Sequence, residues 1–239
     1  MDYKDIPIIY EDNHLLVVVK PMGVPVQEDE SGDPDMLTLL KRYLVETYNK
    51  PGEAYLGLVH RLDRPTGGVM VFAKTSKAAS RLSEAIREGE VEKKYLTVVE
   101  GCPRFKQDKL RCWLKKFPER NTVAVVPELT EGAKYAELDY KVLSEDKKNN
   151  VSLLWVNLVT GRAHQIRVQM AANGTPVLGD VKYGHGERFK LPLCLWATEL
   201  RFAHPVSAKV MDFRVYPPDE IPWKLYNIEH YLGIKISNN

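Results

Sequence analysis

HRLDRPTGGVMVFAK, residues 60–74, decides how the chain is read. A polar cluster of His60, Arg61 and Asp63 runs into the turn Pro65-Thr66-Gly67-Gly68, and an apolar strand follows. Such a turn holds Asp63 at the edge of a sheet while Val69 to Ala73 anchor it. A carboxylate between basic residues at such a corner serves either as a nucleophile or as one half of an ion pair. The residues of this stretch alone leave both open.

Upstream, 8–10 and 15–19 read as two strands around a turn at Glu11-Asp12-Asn13, and Lys20-Pro21 ends the second, because proline cannot donate to a ladder. The stretch 27–36 reads as an exposed acidic loop. Leu37, Leu40 and Leu44 predict a helix over 36–48. Ala79, Leu82 and Ile86 predict another over 76–88, with Thr75 or Ser76 to cap it and Gly89 to close it. Downstream, 95–99 is a strand, 110–126 a charged hairpin around 118–121, and 136–143 with 153–159 an antiparallel pair. A short helix over 164–172 stops at Asn173-Gly174, and strands over 195–202 and 209–215 close the pattern. Hairpins dominate and helices are few. The expected class is therefore α+β with a mostly antiparallel sheet, not a doubly wound parallel fold. No GxGxxG or Walker-type loop is present, which argues against nucleotide-cofactor chemistry.

A chain of 239 residues buries a sizeable core and forms one domain or two small ones. Its 34 Lys and Arg offset 32 Asp and Glu, so the formal charge of +2 carries no nucleic-acid signature by itself. Cys102, Cys112 and Cys194 form no CxxC pair and fit a reduced, cytoplasmic chain. The acids and proline of MDYKDIPIIY do not fit a signal peptide. The longest apolar runs are too short to span a bilayer.

TGRAHQIRVQMAANG, residues 160–174, forms a second polar constellation. It sets Arg162, His164, Gln165 and Arg167 around one strand-to-helix junction, a phosphate seat if helix amides and guanidiniums converge, or simply a capped helix with solvated arginines. Gly179-Asp180 and Tyr183-Gly184-His185-Gly186 read as a tight loop that either lines the same cleft or serves only as structural turns. The scattered histidines, with no HExxH, argue against a metal site. A serine hydrolase lacks its GxSxG elbow.

Four ordered segments give the chain a resemblance to the RluA-type pseudouridine synthases: YEDNHLLVVVKPMGVPV at 10–26, HRLDRPTGG at 60–68, KKYLTVVEG at 93–101, and TGRAHQIR with GTPVLGDVKYG. The resemblance implies a single catalytic domain over 1–239, a mostly antiparallel sheet with flanking helices, and an RNA-binding cleft. It implies Asp63 as nucleophile, acting at ribose C1′ or through a glycal route, with uracil turning so that C5 bonds to C1′. Substrate and product are isomers, so no cofactor or metal is expected. Tyr95 would stack on the uracil, and Arg167 would pair with Asp63 and keep it ionised. His60, Arg61, Thr66 and His164 would hold the flipped nucleotide or its strand, and Arg162 and Lys20 would contact phosphates.

Gly67 stands where the family motif commonly has serine, and Gln169 where the third motif often has histidine. The expected partner is structured RNA, ribosomal somewhat before transfer RNA, bound by a monomer with neither membrane nor obligatory protein partner. No N-terminal S4-like domain is expected. Lys93, Lys94, Lys106, Lys109, Arg111, Lys115 and Lys116 would form a basic rim or a merely solvated surface. Two other readings stand beside this one: an inactive RNA-binding protein of the same fold, and a small-molecule hydrolase. The hydrolase lacks an evident second carboxylate.

Overall fold

The computed structural model of the chain describes residues 1–186 and 190–232. Its strands in chain order are β1 (Ile8–Glu11), β2 (Leu15–Lys20), β3 (Gly57–Leu58), β4 (Gly67–Ala73), β5 (Glu92–Glu100), β6 (Gln107–Phe117), β7 (Thr122–Val126), β8 (Lys134–Asp146), β9 (Val151–Leu158), β10 (Leu195–Ala203) and β11 (Val210–Arg214). The principal helices are α1 (Met36–Thr47), α2 (Ser76–Arg87) and α3 (Gln165–Ala172). The chain groups into two compact units. The first is Met1–Lys93 with Ala197–Val215, the second Lys94–Trp196 with Tyr216–Asn239.

In the first unit the strands run β1-β2-β4-β10, with β11 on β10 and the two-residue β3 on β4. The β1–β2, β2–β4, β3–β4 and β10–β11 pairs are all antiparallel. β4 is buried along its whole length and β2 nearly so, as their unbroken apolar sequences require. Local chemistry sets the helix starts. Asp35 accepts from Thr38 N and Thr75 from Ala78 N, each satisfying an amide that the helix itself leaves without a partner. The turn between β1 and β2 is fixed by Asp12, whose Oδ1 accepts from His14 N and Leu15 N at 2.7 Å each. Asp12 Oδ2 meets His204 Nε2 at 2.9 Å, tying this turn to the one after β10.

The second unit is an antiparallel sheet in the order β5-β9-β8-β6-β7. The charged hairpin of the sequence is β6–β7, and Asn121 at its tip takes the left-handed conformation with φ +47°. One face of this hairpin and β8 presents Leu114, Val123 and Ala136 to Val168 of α3, with Cys112 and Tyr183 packed at the edge. Gln169 crosses from α3 and donates from Nε2 to Leu110 O at 3.0 Å. The mostly antiparallel expectation therefore holds in each unit. Among the described residues no helix is long and apolar enough to cross a membrane.

Gly68 marks the tightest approach in the first unit. Its φ is +125°, and an added Cβ would stand 2.1 Å from the backbone oxygen of Ala197. Gly68→Ala meets both the conformational penalty and a clash with backbone that cannot rotate away. It is expected to destabilise the protein by about 3 kcal/mol or more, read as a lowered urea midpoint. A midpoint equal to wild type contradicts this account of the β4–β10 approach.

Candidate active site

Asp63 sits half-buried in the loop that leads into β4. The loop turns sharply, with Thr66 N donating to Asp63 O at 2.9 Å. Beneath it lies Lys20, the last residue of β2 and fully buried. Its ammonium donates to Pro21 O at 2.9 Å, Arg64 O at 3.0 Å and Thr66 O at 2.8 Å. Three carbonyls match the three N–H bonds of an ammonium, so the site is built for the charged form. Burial pulls the Lys20 pKa down to about 7, and the Asp63 carboxylate works in the opposite direction. Lys20 thus fastens the backbone that follows Asp63, at residues 64 and 66, to the end of β2. Sequence reading made it a phosphate contact, but its burial and its three carbonyl partners leave no such role.

Arg64 grips the loop from outside. Its Nε donates to Gly23 O at 3.0 Å, and Gly23 N donates back to Arg64 O. Its Nη1 donates to Ser31 Oγ at 2.9 Å, and Nη2 pairs with Asp33. The acidic loop of the sequence therefore docks on the residue after Asp63, a relation its composition does not reveal. Arg61 is exposed, whereas Thr66 is buried and its hydroxyl has no hydrogen-bond partner among the described residues. That burial removes Thr66 from the surface that a substrate meets.

His60 is placed differently from its expected nucleotide-holding position. Its Nε2 accepts from Val71 N at 3.1 Å. β3 pairs with Ala73 and Phe72 of β4, and the imidazole supplies the next acceptor along the same strand. Burial, then the neighbouring Lys93 charge, pushes the His60 pKa down to about 4. The ring is neutral at pH 7 and its Nε2 is committed to the sheet.

In the second unit, Tyr95 is buried on β5 opposite Val156. Arg167 projects from α3 and is 5% exposed. Its Nε and Nη2 each donate at 2.8 Å to the two oxygens of Asp180, and its guanidinium carbon lies 5.1 Å from the centre of the Tyr183 ring. Burial alone would raise the Asp180 carboxyl. The Arg167 bonds and charge, with the amides of Lys182 and Tyr183, outweigh it and hold the carboxyl below its ordinary value. The Tyr183 hydroxyl meets His164 Nδ1 at 2.6 Å and accepts from Val123 N at 2.9 Å. His164 takes a left-handed conformation, φ +51°, at the N-cap of α3.

Arg162 is exposed, with Nε donating to Tyr135 O at 2.9 Å, and its own amide is capped by Gln165 Oε1. The two arginines of the motif thus serve different partners, so the structure does not build the phosphate seat in which they converge. Asp180 and Tyr183, read from the sequence only as part of a tight loop, are the residues that meet Arg167. The DVKYG string placed them in a loop, without indicating that they face Arg167.

The basic hairpin carries its own counter-charges. Lys106 pairs with Glu145 at 2.5 Å, Lys109 with Asp139 at 3.4 Å and Arg111 with Glu137 at 3.3 Å, each carboxylate standing on β8. Of the cysteines, Cys194 is buried with its thiol pushed up to about 12, Cys112 is half-buried, and Cys102 is exposed in a loop.

Residues 14–172 match the family described as RNA pseudouridylate synthase. The chain is 33% identical over 234 residues to a ribosomal large subunit pseudouridine synthase D of Zymomonas mobilis, covering 91% of this chain and 72% of that one. It is 32% identical to a dual-specificity RNA pseudouridine synthase of Haemophilus influenzae, covering 86% and 90%. It is 31% identical to an uncharacterized RNA pseudouridine synthase of Bacillus subtilis, covering 88% and 68%. Among solved structures, human RNA pseudouridylate synthase domain containing 4 superposes with a TM-score of 0.75 at 24% identity, over 97% of this chain and 95% of that one.

Lys20→Met would take the ammonium donor from three carbonyls, of which Arg64 O keeps the Gly23 amide, and is expected to lower stability by about 2–4 kcal/mol, read by thermal or urea unfolding. Stability equal to wild type would show that the loop does not need the ammonium. A second expectation concerns pH. The folded His60 pKa lies below its ordinary 6.5, so below that value the unfolded chain binds more protons and stability falls as the solution is acidified. By pH 5 the loss from this group is about 1–2 kcal/mol. His60→Gln should fall less between pH 7.5 and 5 than wild type, and parallel curves would refute the assignment.

Proposed function

We propose, from the premise that this chain belongs to the RNA pseudouridylate synthase family, that it converts particular uridines of ribosomal RNA to pseudouridine with Asp63 as its nucleophile. The carrying observation is the loop around Asp63. The backbone just after this residue is pinned by the Lys20 ammonium at Arg64 O and Thr66 O, and the next side chain by Gly23, Ser31 and Asp33, while the carboxylate itself stays half-buried. A reactive group needs that kind of fixed backbone, because misplacement of its atoms by about 1 Å costs rate steeply.

The reaction is an isomerisation. The carboxylate of Asp63 acts at the ribose, the N1–C1′ bond breaks, the freed uracil turns, and a C5–C1′ bond forms. C5 gives up its proton and N1 gains one, so atoms balance and no redox partner enters. Tyr95 contacts the base through its ring, and Arg167 supplies an oriented guanidinium during the reaction. The target base must leave its stack to be reached. Arg61, exposed two residues before Asp63, would contact the displaced strand. Support for a ribosomal substrate comes from the relatives named as large-subunit enzymes.

Asp63→Asn nearly preserves volume and removes the nucleophile. With RNA tritiated at uracil C5, tritium release in a single turnover should fall by about a thousandfold or more, while RNA affinity and the unfolding midpoint stay near wild type. Wild-type release by the purified variant rejects Asp63 as nucleophile. A pseudouridine map of total RNA with and without the gene then tests the substrate. A missing ribosomal site restored only by wild type supports the reading, and a missing transfer-RNA site alone overturns the ribosomal assignment.

A further inference from the structure

We infer that Asp180 is a positioning residue for Arg167, with the Tyr183 ring as its second support, so that the guanidinium is oriented before RNA arrives. This rests on the reading that Arg167 takes part in the reaction.

The geometry restrains the guanidinium in independent directions. Two parallel bonds of 2.8 Å, from Nε and Nη2 to the two carboxylate oxygens, fix the planar fork within its own plane. The Tyr183 ring, 5.1 Å from the guanidinium carbon, limits motion out of that plane. Asp180 is itself immobile. Its Oδ1 also accepts from Lys182 N at 2.9 Å and Tyr183 N at 3.1 Å, and its backbone oxygen accepts from Gly184 N and Gly186 N. The loop has no slack either, since an added Cβ on Gly179 would lie 2.2 Å from Pro192 O. At the other end Arg167 is rooted in α3, whose Gln165 and Gln169 donate to Glu137 O and Leu110 O on the sheet.

A buried ion pair is a poor device for stability alone, because desolvating both charges offsets most of their attraction. This pair has side chains only 6% and 0% exposed, yet the loop spends two further amides on the same carboxylate. Such an arrangement fixes direction. The Tyr183 hydroxyl adds a link outward. It holds His164 at the start of α3 and Val123 N on β7, so the ring beneath Arg167 is placed by the hairpin as well as by the loop.

The test is a catalytic double-mutant cycle. Asp180→Asn keeps the shape and one acceptor but sets an amide NH2 against the Arg167 Nε–H. Single-turnover tritium release from total RNA of a strain lacking the gene, tritiated at uracil C5, should fall about tenfold to a hundredfold with the RNA dissociation constant unchanged. In an Arg167→Met background the same substitution should cause no further loss, because its effect runs through the guanidinium. A wild-type rate for Asp180→Asn overturns the inference, and so does a full additional loss in the Arg167→Met background. If Asp180→Asn does not fold, Arg167→Lys decides. It keeps a cation beside Asp180 but cannot make the two-pronged contact, and a rate at least about tenfold below wild type in the folded variant supports orientation. A wild-type rate for Arg167→Lys overturns it. A fully active Arg167→Met instead rejects the role of Arg167 in the proposed reaction. The inference then falls with that premise, while the Asp63 result stands apart.

Discussion

A single buried ammonium governs the first unit. Removing a lysine charge from water costs several kcal/mol unless every N–H finds an acceptor, and Lys20 finds three, all of them backbone carbonyls at 2.8–3.0 Å. Those carbonyls belong to residues 21, 64 and 66, so the requirement of one side chain dictates the path of two chain segments. β2 must stop at Pro21 to supply the first. The loop before β4 must turn at Asp63 to supply the others, and Gly68, opposite Lys20 in the β2–β4 register, lets the strand begin in tight quarters.

The second unit solves a related problem with different chemistry. Carbonyl dipoles add no opposing charge, so Lys20, its pKa drawn down to about 7 by burial, sets a partial cation under the Asp63 loop near neutral pH. Arg167 meets a full carboxylate, and the Arg167–Asp180 pair is neutral as a unit. One device supplies field and the other supplies direction. Both bury an ionic group whose position is then decided by backbone and not by solvent.

Elements defined by local signals were legible in the sequence. α2 follows its apolar spacing and its Thr75 cap, and the β6–β7 hairpin follows the Pro118–Asn121 turn. Lys20 was misread because exposure is a tertiary property. A lysine at a strand end looks the same whether it reaches water or three carbonyls. His60 carries no local mark of its bond to Val71 N. Asp180 lies thirteen residues beyond Arg167, outside any helical or strand periodicity, and only the closure of the Gly179 loop against Pro192 brings it back. The resemblance spans Lys20, Asp180 and Tyr183 as well as the nominated residues, but it does not say which of them hold the others.

The ion pairs on β6 and just before it bear on how discriminating the protein can be. A cationic strand without counter-charges gathers mobile ions, and any polyanion that displaces them binds with the entropy of their release. Lys106, Lys109 and Arg111 instead have carboxylates covalently tethered on β8. A phosphate that reaches one of them exchanges one anion for another and frees nothing into solution. Such a surface is slow to adhere to nucleic acid in general and rewards a strand whose shape brings several phosphates to these cations together. Internal counterions thereby turn a basic strand from an adhesive into a filter.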